Sequence, residues 1–328
     1  MPDALMRVAD GSGARRPLSR LGPRPAWLTR RVRAVCAPEG SDRRSSPVQE
    51  LLDGLRVNTV CRSAKCPNIA ECHGRRTATF MVLGDRCTRD CRFCAVAHGR
   101  PAPPEADEPS RVAEAARRLG LEHAVVTSVT RDDLPDGGAE HFAATVRAIR
   151  GHACARAEVL VPDFQGRAWC VRTVVESGCE VFAHNVETVP RLYETVRPGA
   201  GYERSLAVLA QAAHAGGGRL VVKSGLMVGL GEEAREVEAV MRDLLSAGCR
   251  MLTLGQYLSP GAAHVPVSEY VTPERFAEYA AFARRMGFAA VAAGPFVRSS
   301  YRASEMWDLA RAWRGRNGRD VANGVPPA

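Results

Sequence analysis

Apolar positions along the chain fall into short runs that alternate with longer amphipathic stretches. The runs at 77–83, 122–129, 157–161, 180–183, 219–223 and 250–254 have strand length and are mostly rich in β-branched residues, and a further short apolar segment follows at 289–293. Between them, apolar residues recur at helical spacing over 110–119, 138–150, 168–176, 189–196, 202–215, 232–247 and 273–286. Strand and helix thus alternate through about six or seven units, which predicts a parallel sheet covered by helices.

Polar and glycine-rich sequences collect where the strands are expected to end. Thr130-Arg131-Asp132-Asp133, His184-Asn185-Val186-Glu187, Lys223-Ser224-Gly225 and Gly255-Gln256-Tyr257 are the clearest. In a closed or partly closed βα barrel such loops share one rim, at the carboxyl ends of the strands, where sites are built. A doubly wound open sheet is the competitor, favoured by a nucleotide-binding glycine fingerprint after the first strand. None stands there, and Gly229-Leu230-Gly231 comes late and lacks the third glycine.

Charge changes the picture little. The 328 residues carry a formal +9, but residues 1–50 alone hold ten Arg against five Asp or Glu. That stretch is rich in Arg, Pro, Gly and Ser and reads as a solvated arm at 1–24 and beyond; Asp3 and Asp10 count against an organellar transit segment. The rest has the nearly balanced surface of an ordinary enzyme, which argues against nucleic-acid binding. No apolar run approaches the roughly 18 residues of a membrane span, so a cytoplasmic protein is expected. Lys occurs only at 65 and 223 against 43 Arg, which makes each surviving Lys a specific choice.

The 11 cysteines carry the chemistry. Disulfides are uncommon in a reducing compartment, so ligands or buried thiols are the better reading. Six fall between 61 and 94, in two triads: Cys61, Cys66 and Cys72, then Cys87, Cys91 and Cys94. Structural zinc usually takes four ligands in two close pairs. Grouping by threes instead suits cubane iron–sulfur clusters, each holding three irons by thiolate and leaving the fourth for another ligand. Cys36, Cys154, Cys170, Cys179 and Cys249 stand alone and read as ordinary thiols.

Cys87-Thr88-Arg89-Asp90-Cys91-Arg92-Phe93-Cys94 resembles the signature of radical S-adenosylmethionine enzymes, and it follows the first strand, where that superfamily carries it. The first triad, in Val60-Cys61-Arg62-Ser63-Ala64-Lys65-Cys66-Pro67-Asn68-Ile69-Ala70-Glu71-Cys72, resembles the auxiliary-cluster motif of the lipoyl synthase family. Arg298-Ser299-Ser300-Tyr301 resembles that family's terminal motif, and the similarity runs over about 25–303. It continues through Asp132-Asp133-Leu134-Pro135-Asp136-Gly137-Gly138, Val161-Pro162-Asp163-Phe164 and Lys223-Ser224-Gly225. His73 stands where the family usually has an aromatic residue.

The resemblance implies a partial (β/α)6-type TIM barrel at 75–293. An N-terminal extension at 25–74 and a C-terminal one at 294–328 would carry an auxiliary cluster. It implies two 4Fe-4S clusters and S-adenosylmethionine. Cys87, Cys91 and Cys94 would hold the radical-generating cluster. Cys61, Cys66 and Cys72, with the Ser300 oxygen or failing that Ser299, would hold the auxiliary one. Phe93, Asn185, Glu187 and Lys223 are candidates for contacting S-adenosylmethionine, with a rim salt-bridge network as the alternative for the last three. Asp132 and Asp133 read as site residues or as caps of the following helix. The implied reaction inserts two sulfur atoms at C6 and C8 of an octanoyl chain on a carrier lysine. The partners would be octanoylated carrier domains of the 2-oxoacid dehydrogenase or glycine cleavage type and an electron donor such as ferredoxin or flavodoxin. A related radical enzyme acting on another substrate, or a zinc-binding scaffold, are the competing readings.

Overall fold

The computed structural model describes residues 8–9, 15–16, 24–29, 47–64, 66–74 and 79–322. Most of the arm, Cys36, Lys65, residues 77–78, residues 323–328 and the side chain of His73 lie outside what is described. Seven strands form one parallel sheet: β1 (Thr79–Val82), β2 (His123–Ser128), β3 (Arg156–Leu160), β4 (Val181–Ala183), β5 (Val221–Val228), β6 (Met251–Gln256) and β7 (Ala290–Gly294). Each pairs with its neighbours in chain order. A doubly wound sheet reverses its strand order at a switch point. This one never does, and six βα units plus a seventh strand make a partial barrel.

Short helices α1 (Pro47–Gly54), α2 (Val60–Ser63) and α3 (Ile69–Gly74) lie between residue 47 and the sheet. The crossovers use α4 (Glu108–Arg118), α5 (Ala139–Ala148), α6 (Ala168–Glu176), α7 (Tyr193–Val196), α8 (Tyr202–Gly216), α9 (Ala234–Ser246) and α10 (Pro273–Met286), and α11 (Ala303–Ala322) ends the fold. The α10 boundaries show why sequence located it. Thr272 caps the first turn by accepting from the Arg275 N–H, Pro273 takes the first position, and Gly287 at φ 104° stops it.

The free edge of β1 is covered by the N-terminal extension. The Met81 N–H donates to the Asn58 carbonyl at 2.9 Å, and Thr59 bridges Phe80 in antiparallel sense. An uncovered edge would offer unpaired backbone groups to other chains.

The barrel interior is layered along the strands. At their amino ends, Val181, Val221, Met251 and Ala290 pack against Met306 and Ala310 of α11. Arg156 stacks on Trp307 of the same helix, 4.5 Å from the ring centre. One inward position further along β3 and β5, Glu158 and Lys223 meet at 2.6 Å, and His123 reaches the other Glu158 oxygen at 3.2 Å. This layer corrects the sequence reading. Residues 223–225 were expected to leave the strand, yet β5 continues to Val228 with Lys223 fully buried inside the barrel. Lys223 is not a rim residue, because its ammonium neutralises a carboxylate that the fold has already removed from water.

Candidate functional site

Above the ionic layer lies a cavity of about 500 Å³. Its floor is formed by the next inward residues of the strands, among them Thr127, Leu160, Gly225 and Thr253. Gly225 is required there: a Cβ would lie 2.7 Å from Asn185 Oδ1 and 2.8 Å from Thr253 Oγ1. Cys87, Cys91 and Cys94 open onto one part of the cavity with Phe93, and Cys61, Cys66, Ser299 and Ser300 open onto the same space. Asn185 and Glu187 line it too. Cys72, half-buried on α3, and Lys223 are not among the lining residues.

The second triad sits on a loop tied to three neighbours. Arg86–Cys87 pairs in parallel with Ala97–His98. Thr88 joins Thr130 beyond β2 through its N–H and its hydroxyl, at 3.1 and 3.0 Å, and accepts from the Asp132 N–H. Arg89, between the first two cysteines, forks onto Asp132 at 2.6 and 2.9 Å and onto Asp163 at 2.9 and 2.7 Å. Asp163 is fully buried and also takes Arg204 at 2.7 Å; burial opposes its charge, but Arg89 and the Gln165 N–H hold it well below the usual carboxylate range. Bidentate pairs of this kind fix geometry as well as charge. Asp132 is therefore an anchor of the cysteine loop, and Asp133 pairs with Arg131 at 2.8 Å. Neither caps α5. Asp136 does so, accepting from Gly138 and Glu140 N–H at 2.9 Å each.

The opposite wall follows β4. His184 is buried between the Val161 carbonyl and the Ser205 hydroxyl, and burial lowers its pKa to about 4, so it is a neutral structural group near pH 7. Asn185 donates to Glu187 Oε1 at 3.0 Å. Glu187 has φ 64°, an uncommon conformation for a residue with a side chain, and its backbone is gripped by Gly225 and Met227 of β5 at 3.0 and 2.8 Å. Burial raises the Glu187 carboxyl, opposed by Arg197. Arg197, which sequence reading passed over, donates to the Asn185 and Val186 carbonyls and to Tyr193 Oη at 3.0 to 3.1 Å. Backbone contact between Arg92 and Val196 at 3.0 Å brings it toward the cysteine loop. Burial raises the Cys91 thiol, with Arg197 acting the other way, and pushes Cys94 up to about 12.

The first triad meets the distant serine motif through three side chains. Asn68 donates to the Phe296 carbonyl at 2.6 Å, and Tyr301 Oη donates to Glu71 at 3.0 Å. Between them the Thr79 hydroxyl donates to Ser300 Oγ at 2.8 Å. Burial raises the Cys61 thiol, and hydrogen bonding from the Thr79 backbone opposes that rise. Ser299 turns the other way and donates to Asn185 Oδ1 at 3.2 Å. The two serines thus face different parts of the cavity.

Among the described residues no three His, Cys, Asp or Glu converge closely enough for a single metal ion. A cubane cluster makes a different demand, since each iron takes its own thiolate and the donors stand around the cluster instead of meeting at a point. Soft thiols around a roomy cavity fit that group.

Residues 81–244 match the profile of the Radical SAM superfamily. The HydG maturase of the FeFe-hydrogenase from Carboxydothermus hydrogenoformans shares the fold, with a TM-score of 0.53 over 64% of this chain and 52% of its own at 15% identity. The site and fold therefore define a radical S-adenosylmethionine enzyme. A lipoyl synthase from Caldanaerobacter subterraneus is 53% identical over 88% of this chain and 98% of its own length. One from Thioalkalivibrio sulfidiphilus is 48% identical over 93% and 94%. The chain belongs to the lipoyl synthase family, whose cofactors are two 4Fe-4S clusters and S-adenosylmethionine.

Proposed function

We propose that the two triads divide the work of this activity. The activity is that of the family: radical insertion of two sulfur atoms at C6 and C8 of a protein-bound octanoyl-lysine. Cys87, Cys91 and Cys94 hold the cluster that binds S-adenosylmethionine. Cys61, Cys66 and Cys72, with Ser300, hold the auxiliary cluster. When bound, the first supplies the electron that cleaves S-adenosylmethionine to the hydrogen-abstracting radical, and the second supplies the sulfur. The observation that carries this assignment is the single cavity shared by cysteines of both triads and by Ser300.

The chain's own residues position and exclude. Arg89 and its two carboxylates fix the loop that carries the radical-site thiols. Phe93 gives that loop an apolar flank, and Asn185 and Glu187 offer hydrogen-bonding groups to the nucleoside or amino-acid part of S-adenosylmethionine. The ionic layer of His123, Glu158 and Lys223 closes the floor without entering the site, so Lys223 has no part in binding. Ser300 is chosen over Ser299 because it shares Thr79 with Cys61. By this reading 25–74 and 294–328 are the extensions that build the auxiliary site around a barrel at 75–293. The acceptors are octanoylated carriers of the 2-oxoacid dehydrogenase or glycine cleavage type. A ferredoxin or flavodoxin supplies electrons, and the cytoplasm is the compartment.

The test is incubation of the iron-loaded protein with reductant, S-adenosylmethionine and an octanoylated carrier peptide, read by mass spectrometry. A gain of two sulfurs on the peptide is expected. No gain with both clusters full would overturn the assignment, and colourless protein holding zinc would favour the scaffold reading.

A further inference from the structure

Thr79 lies at the first position of β1, is 5% exposed, and occupies the junction of three separate parts of the chain. Its hydroxyl donates to Ser300 Oγ at 2.8 Å, 221 residues away in sequence. Its backbone hydrogen-bonds toward the Cys61 thiol. Because Thr79 belongs to the sheet, its position is set by backbone pairing with Val125 of β2 and not by the loops it joins. Nothing in the cysteine or serine motifs points to it.

We propose that Thr79 is a positioning residue for the auxiliary cluster, holding the Ser300 oxygen in the orientation and hydrogen-bonded state in which it ligates iron. This rests on the assignment of Ser300 made above. A serine oxygen bound to iron has given up its proton and can only accept hydrogen bonds. The 2.8 Å contact places the Thr79 hydroxyl where it can supply that hydrogen bond. A free serine side chain samples three staggered rotamers, and a fixed donor on a strand selects one of them. Partners of metal ligands generally contribute about tenfold or more to metal affinity.

The experiment compares wild type, Thr79→Val, Thr79→Ser and Ser300→Ala, all full-length and loaded with both clusters under anaerobic conditions. Iron release to a ferrous chelator is followed with time. Cleavage of S-adenosylmethionine to 5'-deoxyadenosine, without octanoyl substrate, reports separately on the radical-site cluster. Thr79→Val removes the hydroxyl at constant shape and is expected to release the auxiliary iron about tenfold faster, with deoxyadenosine formation retained. Thr79→Ser keeps the donor and is expected to restore the wild-type rate, a rescue that loss of packing alone would not give. Ser300→Ala is expected to release iron faster as well. If Ser300→Ala is labile and Thr79→Val is not, the role of Thr79 is overturned while Ser300 stands. If Ser300→Ala matches wild type, the Ser300 assignment itself falls. If Thr79→Ser is as labile as Thr79→Val, the methyl group and not the hydroxyl is responsible, and the proposal is again overturned.

Discussion

Cys87, Cys91 and Cys94 fall within eight consecutive residues, whereas the groups proposed for the auxiliary cluster and its support come from α2, the link after it, α3, the start of β1 and the segment before α11. The first set is built by one loop and then braced from outside by Arg89, Asp132 and Asp163. The second is built only when the segments at the two ends of the sheet, before and at β1 and after β7, meet through Asn68 to Phe296, Thr79 to Ser300 and Glu71 to Tyr301. A site made by one loop can be rigid on its own. A site made from both ends depends on their staying together, which suits a group that is dismantled during turnover.

The sharpest separation of the two regions comes from removing a thiolate from each. Cys91→Ala is expected to abolish 5'-deoxyadenosine formation while auxiliary iron remains. Cys66→Ala is expected to leave deoxyadenosine formation in place and abolish sulfur insertion. Chromatography of deoxyadenosine together with mass spectrometry of the carrier peptide measures both. If either variant lost both activities with its other cluster intact, the division of labour would fail.

The brace on the radical-site loop gives the next largest effect. Arg89 is 9% exposed and faces two carboxylates, one of them fully buried. Removing Arg89 leaves Asp163 with Arg204 as its remaining cation and deprives the part-buried Asp132 of its partner, so the cost falls at the lower end of that for a broken buried pair, about 3 kcal/mol. Arg89→Ala should lower stability in urea titration by about that amount and reduce iron at the radical-site cluster more than at the auxiliary one. Arg89→Lys should recover only part of the loss, since an ammonium cannot fork onto both Asp132 and Asp163.

His184 supports the wall opposite that loop and makes a pH-dependent contribution. Its pKa of about 4 in the folded protein lies below the ordinary value of about 6.5 in the unfolded chain. Its contribution is therefore complete above pH 6.5, and is lost progressively as the unfolded chain takes up a proton between pH 6.5 and 4. Between pH 6.5 and 5 the expected loss is about 2 kcal/mol. Urea midpoints across this range should fall in the wild type and fall less steeply in His184→Gln; equal slopes would remove His184 as the cause.

The contrast between the regions also explains what was legible in the sequence. Helices α6 and α10 have the boundaries their apolar spacing predicts, because each lies on the outside of the barrel with a single buried face. That Cys87, Cys91 and Cys94 share one loop was legible for a similar reason: their spacing is local. Inside the barrel the pattern misled. Lys223, Ser224 and Gly225 look like the end of a strand, yet the ammonium has Glu158 and the glycine has Asn185 and Thr253 pressed against it, and neither partner is visible along the chain. The helix expected at 189–196 begins as a 3-10 turn at Pro190–Leu192, and the one expected at 138–150 passes into a π-helical turn at Ile149–Ala153. Thr79, Arg197 and the Arg89 clamp were not legible as parts of the site, since each acts through residues 40 to 220 positions away or through backbone carbonyls.

The smallest expected effect tests whether the weaker, two-ended site is weak for a purpose. A hard oxygen is a poorer partner for a cluster iron than a soft thiolate, so an iron held by Ser300 should leave more readily than one held by cysteine. Ser300→Cys should keep the auxiliary iron, resist a chelator better than wild type, and insert sulfur about tenfold more slowly, with deoxyadenosine formation unchanged. Slower release of the last iron would hold back sulfur transfer without touching the loop that Arg89 braces. If Ser300→Cys kept its cluster and inserted both sulfurs at the wild-type rate, ligand hardness would have no bearing on turnover, and the difference between the two regions would be one of assembly alone.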